Sequence, residues 1–559
     1  MSAEPSRRHK YFLLTLLFFA AVVALSQGIW EVTGVTAKDE YHLALRTPLS
    51  MMEHDEWVVP RLDGIPREKP PMISWLTRAT FEIFGVSLTS ARMINVLFAA
   101  LLVLVAALIG LELTQNLRYS LVAGLIALST AGIAIQSRFL LYDVPTATCS
   151  AFAFYWFLKW CRTPRTAYLI GVAASLCAGF LTKGPIGFVV FGSGVLALLI
   201  TNREVRSVIW QHKGALVGSL LLFLGLTAPW FVYLYAFYPA QSISVLQQEI
   251  AGRNIGDLTV MPIIGAALIA VPWTFVLIDL VVRPKSLPSL PGIGSHRTMF
   301  MLWFGLSILP FFFIKTFIRY LIGSIVPIAL LCASVIESDN KRPVQIHAQL
   351  GMIITSFFVL CFAGFAWWFK TSMIEVIAVL VAWSVFAIVW WRGAHYASMA
   401  LSATFLWMTM VGFLYPTLGV NAIPAKIVKE VEGRPIILYG DQQPALLPIT
   451  MGRSLNVTPM LSRTDLSSEG GRPPLIFAKE EDTANLEHDL KVLGCDFERV
   501  DSYRTLSSRV SWVRFTRKGA TWSDWVLAAQ NRSLDAIKLT IAVYDVKLHR
   551  GPEAEGAVK

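Results

Sequence analysis

Apolar runs long enough to cross a bilayer recur along most of this chain, and they limit its fold more than any other feature. A bilayer takes roughly 20 apolar residues per helix, and window hydropathy places about thirteen such runs here. They fall near 11–31, 92–113, 119–136, 144–160, 167–182, 185–201, 215–236, 261–282, 298–314, 319–336, 347–369, 373–391 and 396–418. The 559 residues are 55% hydrophobic and 15% charged, where a soluble domain averages about a quarter charged. The expected fold class is therefore a polytopic α-helical membrane protein. The first run follows Arg7, Arg8 and Lys10, but it is long, and SQGIWEVTG has no small-x-small cleavage site. It reads as a retained helix rather than a signal peptide.

The polar residues sort by side. With the basic N-terminus in the cytoplasm, the inside connections carry Arg118; Lys159, Arg162 and Arg165; Arg203, Arg206 and Lys213; Arg283, Lys285 and Arg297; Lys341 and Arg342; and Arg392. Every one is basic, as the positive-inside rule expects. This accounts for the net charge of +11 without invoking nucleic acid. The outside connections mix acids with bases. They are 32–91, SRFLLYD (137–143), TKGP (182–185), 237–260 and IKTFIRY (314–320). Basic residues there oppose the orientation rule, so Lys69, Lys183, Arg253, Lys315 and Arg319 read together as a site for an anionic ligand at the membrane boundary. Snorkelling of single lysines to the interface is the plainer alternative.

The long loop 32–91 holds two segments with helical spacing of apolar residues, DEYHLALRTPLSMMEHDEW and PPMISWLTRATFEIFG. Both suit helices lying flat on a membrane. Between them RLDGIPREKPPMISWL (61–76) packs Arg61, Asp63, Arg67, Glu68 and Lys69 around three prolines. Prolines stiffen the backbone, so a lysine beside Pro70 and Pro71 can be held in one place, and an ammonium suits phosphate. Residues 1–419 form the expected membrane domain. The tail, 420–559, changes to frequent charges with strand-like runs PIILYG, PPLIFAK, DFERVDSY and SWVRFTR, and reads as a small α/β domain. The odd helix count puts it outside. Six cysteines show no disulfide or zinc spacing, and no nucleotide-binding glycine pattern, HExxH or CxxC occurs.

An ordered series then runs through the chain. Asp39-Glu40 is followed by WVVPRLDG (57–64), EKPP (68–71), RFLLYDVP (138–145), FLTKGP (180–185), QEIAGR (248–253) before Pro272-Trp273, and RYLIGSIVP (319–327). This series, over about residues 10–420, resembles the bacterial branch of the protein O-mannosyltransferase superfamily, and within it the aminoarabinose transferases that modify lipid A. The resemblance implies a GT-C glycosyltransferase of the bacterial inner membrane. Such an enzyme moves a sugar from a polyprenyl (undecaprenyl) phosphate donor to an envelope glycolipid such as lipid A on the periplasmic face. Protein hydroxyls are the alternative acceptor, and a lipid or sugar transporter is the rival class. Lys69 takes the family's donor-phosphate role, with Arg253, Arg319 and Tyr320 completing the cradle. Asp39, Glu40 and Asp143 are the candidate catalytic acids. Asp39 has an N-cap alternative, and Asp143 an ion-pair alternative with Arg138 as its partner. Glu68, Arg138, Lys183 and Glu249 are supporting residues. Relatives often carry Glu-His where this chain has Glu249-Ile250, so no required metal or other cofactor is expected. His42 and His54 read as surface residues.

Overall fold

The computed structural model describes the chain except residues 1–6, 37–39, 63–64, 67–68, 241–242, 244–246, 248–257, 283–293, 315, 337–341, 394–395, 441–446, 454, 467–472, 509–510, 512 and 549–559. Eight helical spans among the described residues are long and apolar enough to cross a membrane. They are Arg8–Leu25, Leu88–Thr114, Thr166–Thr201, Lys213–Phe237, Ile318–Val335, Ile346–Trp368, Met373–Trp390 and Tyr396–Leu418. The protein is a multi-pass membrane protein. Of the remaining apolar runs, 144–160 lies in the unbroken helix Asp143–Arg162, and the others are helical but shorter or broken. The run at 119–136 splits into Leu117–Leu128 and Ala131–Gln136, where the Thr130 side chain caps a new start. The run at 261–282 splits into Met261–Ile269 and Thr274–Val282 around Pro272, which has no amide to continue a ladder. The runs 167–182 and 185–201 are joined through a short 3-10 turn, Gly184–Phe188.

The first connection folds largely as the periodicity predicts. A π-type turn, Glu40–Leu45, leads into the helix Arg46–Glu53. A two-residue hairpin follows, β1 (Arg61–Leu62) and β2 (Ile65–Pro66). The helix Met72–Phe84 buries Ile73, Thr77 and Phe81. Gly85, at φ +82°, ends it, and Ser87 and Ser90 form a capping box that opens Leu88–Thr114.

Glu40 and Arg92 hold this connection to the bundle. Both side chains are fully buried, and Arg92 Nε lies 2.9 Å from Glu40 Oε1. Arg92 Nη2 donates to Glu40 Oε2 at 3.0 Å, and Nη1 donates to the carbonyls of Ile29 and Glu31 at 3.2 and 3.0 Å. The Leu140 amide donates to Glu40 Oε1 at 2.8 Å, and the Thr36 hydroxyl donates to Oε2.

The tail forms a five-stranded sheet in the order β4-β3-β5-β7-β6, from β3 (Ile436–Tyr439), β4 (Asn456–Thr458), β5 (Leu475–Lys479), β6 (Cys495–Thr505) and β7 (Leu539–Leu548). β3 runs parallel to β4 and β5, and β7 runs antiparallel to β5 and β6. Three of the four strand-like runs are strands. SWVRFTR is not, and the fifth strand is LTIAVYDVKL. Its Ile541, Val543 and Tyr544 are buried between β5 and β6. The tail meets the bundle where Ser508 Oγ donates to the Thr36 carbonyl at 3.0 Å and Arg46 Nη2 donates to the Leu455 carbonyl at 3.3 Å. All six cysteines are free.

Removing one partner of a buried pair strands the other charge and costs about 3–5 kcal/mol. Arg92→Met should therefore lower thermal stability in detergent severely. Arg162→Met removes a pair whose arginine side chain is 56% exposed, and should cost at most about 1 kcal/mol. Equal melting shifts for the two variants would refute the anchoring role of Arg92.

Candidate functional site

Two antiparallel helices bring opposite charges to one place. Asp143 opens the helix Asp143–Arg162, and Lys183 closes the helix Thr166–Lys183. A carboxylate at a helix N-terminus and an ammonium at a C-terminus each sit favourably in the helix dipole. The two helices approach closely because Gly179 faces Cys149. A Cβ there would lie 3.3 Å from Cys149 Cβ. Gly184, at φ +68°, turns the chain sharply after Lys183.

A third element closes the site. The 3-10 segment Ile318–Ser324 carries Arg319 and Tyr320. It passes so near that a Cβ on Gly323 would fall 2.3 Å from Val190 Cγ2. Lys183 Nζ is ion-paired with Asp143 Oδ1, and Arg319 Nε lies 3.4 Å from Asp143 Oδ2. The Lys183 ammonium also sits 3.8 Å from the Tyr320 ring centroid, and the Arg319 guanidinium stacks 4.7 Å over Phe317. The Asp143 and Lys183 side chains are only 7% and 9% exposed. Lys69, half-buried, is close enough to add its positive field at Lys183. A small cavity of about 30 Å³ lies beneath the pair, lined by Thr146, Ser150, Ser307 and Tyr320. It is large enough for a water molecule.

The structure thus gathers Asp143, Lys183, Arg319 and Tyr320, with the charge of Lys69 felt at Lys183. Asp39, Glu68, Glu249 and Arg253 lie outside the described residues, as does Lys315. Arg138 is a correction, because Asp143 takes Lys183 and Arg319 as partners instead. The Arg138 guanidinium turns back to the Ala134 carbonyl one turn earlier. It is 2% exposed, and its Nε and Nη2 have no hydrogen-bond partner among the described residues. Glu40 stands apart from this cluster, with both oxygens taken up by Arg92, Thr36 and the Leu140 amide. Sequence reasoning missed Arg92. The available signal was a lone arginine in the first turns of a long apolar helix. His54 is exposed. Among the described residues no group of three or more His, Cys, Asp or Glu side chains is placed to hold a metal ion.

The loop leading to Lys69 is braced from below. Arg78, on the helix Met72–Phe84, binds Asp55 at 2.7 Å, Glu82 at 2.8 Å and the Met51 carbonyl at 3.0 Å, and lies 4.1 Å over the Trp57 ring. Trp230 Nε1 donates to the Val58 carbonyl at 2.8 Å. Glu56 accepts the amides of Val58 and Val59 at 2.8 and 3.3 Å and pairs with Arg61. Partial burial pushes the Glu56 carboxyl up, but those two amides and Arg61 outweigh it and hold it below its ordinary value.

Known proteins resemble this chain in sequence and in fold. The family of dolichyl-phosphate-mannose-protein mannosyltransferases matches residues 68–233. An undecaprenyl phosphate-alpha-4-amino-4-deoxy-L-arabinose arabinosyl transferase of Yersinia enterocolitica is 25% identical over 444 residues, which is 72% of this chain and 76% of the relative. A second protein so named, from Pseudomonas fluorescens, is 28% identical over 61% of this chain and 59% of its own length. An uncharacterised protein of Aquifex aeolicus is 26% identical over 36% of this chain and 40% of its own. The chain thus spans between two fifths and three fifths of the latter two relatives. The crystal structure of ArnT from Cupriavidus metallidurans bound to undecaprenyl phosphate superposes with a TM-score of 0.67 at 14% identity. It covers 96% of this chain and 98% of that one. The apo form gives 0.65. The chain has the ArnT-type GT-C membrane fold, and it resembles the aminoarabinose transferases.

A carboxyl held below its ordinary pKa contributes stability above that ordinary value, and the contribution is lost as pH falls through the lowered one. Hydrogen exchange at Val58 and Val59 should therefore show full protection at neutral pH, lost below the usual glutamate range. In Glu56→Ala the two amides should already be unprotected at neutral pH. Protection in that variant equal to wild type would refute the brace.

Proposed function

We propose that this chain is a GT-C glycosyltransferase of the bacterial inner membrane. It moves one monosaccharide from a polyprenyl phosphate carrier, of the undecaprenyl kind, to lipid A or a similar envelope glycolipid. One observation carries this reading. Lys183 and Arg319 pair with Asp143, the Tyr320 ring lies against Lys183 and the charge of Lys69 reaches it, in a chain with the fold of a protein solved with undecaprenyl phosphate bound. The basic connecting loops support a cytoplasmic N-terminus and a periplasmic tail domain, 420–559, behind the membrane domain, 1–419.

In the transfer, the bond between the anomeric carbon and the carrier phosphate oxygen breaks. Its electron pair stays on the phosphate, and a new bond forms to an acceptor oxygen. Negative charge grows on the departing phosphate, where fixed cationic donors are worth most. Lys69, Arg319 and Tyr320 are assigned to that phosphate, with Arg253 by resemblance. Arg319 supplies a planar fork suited to two phosphate oxygens, and Lys183 holds Asp143 in register. An acceptor hydroxyl must give up a proton, for which Asp39 and Asp143 are the candidate bases. An anionic phosphate acceptor needs only positioning. Glu40 is assigned to holding the loop, because Arg92 already occupies it.

Lys69→Ala should reduce transfer by on the order of a hundredfold or more while the protein inserts and folds normally. Mass spectrometry of lipid A is the check, comparing cells with the wild-type protein, without it, and with the variant. A sugar-sized increment should appear with wild type alone. An undiminished increment with Lys69→Ala would remove that residue from the phosphate site. Identical spectra in all three would withdraw lipid A as acceptor.

A further inference from the structure

The helix Trp522–Asn531 lies in the tail, far along the chain from any span, yet one of its faces is apolar and uncovered. Trp522 is 80% exposed, Val526 38% and Leu527 48%. Ser523 and Gln530, also exposed, complete that face, and neither is charged. The opposite face docks on the bundle. Trp525 reaches Phe365, with ring centroids 6.4 Å apart, and Ala528 is fully buried.

The docking fixes the depth of this helix. Phe365 lies inside the span Ile346–Trp368, about one turn before its end. Trp368 Nε1 donates to the Ala529 carbonyl at 3.0 Å, and Arg532 Nε donates to the Trp368 carbonyl at 3.2 Å. The Arg532 guanidinium stacks 5.3 and 4.9 Å over Trp367 and Trp368, themselves 47% and 42% exposed. Tryptophans at a span end mark the level where hydrocarbon gives way to headgroups. The next span begins at Met373, with Ile374 79% exposed. The uncovered face of Trp522–Asn531 therefore continues the lipid-facing surface of the bundle at the headgroup boundary. The one acid of the helix, Asp524, is turned toward Arg517 at 2.8 Å, away from that surface.

We propose that the Trp522–Asn531 helix is an in-plane membrane helix whose Trp522, Val526 and Leu527 insert into the bilayer leaflet bordering the tail. An amphipathic helix with a tryptophan and aliphatics on one face and flanking basic residues binds the headgroup–acyl boundary in this way. Here Arg517, Lys518 and Arg532 flank it. The inference rests only on the chain spanning a bilayer, not on the sugar-transfer reaction.

The test uses the full-length protein in nanodiscs of phosphatidylethanolamine and phosphatidylglycerol. A photoactivatable diazirine residue is placed singly at Trp522 and at Val526. A control places it at Val492, which is 70% exposed on another helix of the tail. All three positions are exposed, so folding should survive, and gel filtration checks it. Mass spectrometry after illumination should find phospholipid adducts at 522 and 526 and none at 492. Water-quenched product alone at 522 and 526 would overturn the proposal. So would a cross-linked second copy, or equal lipid labelling at 492.

Discussion

A single buried guanidinium, that of Arg92, organises the end of the bundle on which the site is built. Four of its N–H groups donate, two to the Glu40 carboxylate and one each to the carbonyls of Ile29 and Glu31. It thereby joins the end of the first span, the π-type turn and the opening of a third element in one contact set. Glu40 extends the set by accepting the Leu140 amide. Leu140 lies three residues before Asp143, so the turn entering that helix is fixed by the same pair. Taking two charges out of water is expensive, and the expense is recovered only if every donor and acceptor is met. Both Glu40 oxygens and four of the Arg92 N–H groups are bonded, and loss of either partner would free the Leu140 turn that enters the Asp143 helix.

The position of the charges also bears on what kind of protein this is. A transporter concentrates ionisable groups near the bilayer midplane, where they line a path. Here Asp143 opens a helix, Lys183 closes one and Arg319 lies on a short 3-10 segment leading into a span. They share one end of the bundle with the braced loop that carries Lys69. That arrangement suits chemistry on a headgroup whose tail stays in the membrane. It also explains the crowding of charges beside prolines in 61–76. In the proposed role of Lys69, a loop presenting a cation to a phosphate at the boundary has to be stiff, and Arg78, Trp230 and Glu56 hold the segment that leads into it.

Much of this was legible in the sequence, because bilayer thickness imposes a coarse period that survives any detail of packing. The spans follow from it, while the two helices of the first connection follow from the helical spacing of apolar residues and three of the tail strands from short β-prone runs. Other features depended on distances the sequence does not carry. Asp143 and Lys183 are 40 residues apart and Glu40 and Arg92 are 52 apart, and neither pairing has a local signature. Arg138 looked like the partner of Asp143 because it is five residues away. Yet Arg138 follows the end of one helix and Asp143 opens the next, and the guanidinium turns back to the earlier helix. SWVRFTR and LTIAVYDVKL are both β-prone. The second alone pairs on both sides, which is a matter of tertiary context rather than propensity.

The tail then takes a part that composition concealed. Read as a small charged, strand-forming domain, it is held to the bundle by contacts that include three hydrogen-bonded ones among the described residues. Ser508 meets Thr36, Arg46 meets Leu455, and the Trp522–Asn531 helix grips the end of a span. Thr36 also donates to Glu40, so the tail reaches the anchoring pair through one shared residue. In the proposed reaction a donor and an acceptor that are both lipids arrive by diffusion in the plane of the bilayer. On the proposal made above, a tail seated at that same level would restrict how an acceptor headgroup approaches the proposed site around Asp143. The membrane is then not only the solvent of the spans but the surface along which the tail and the site are aligned.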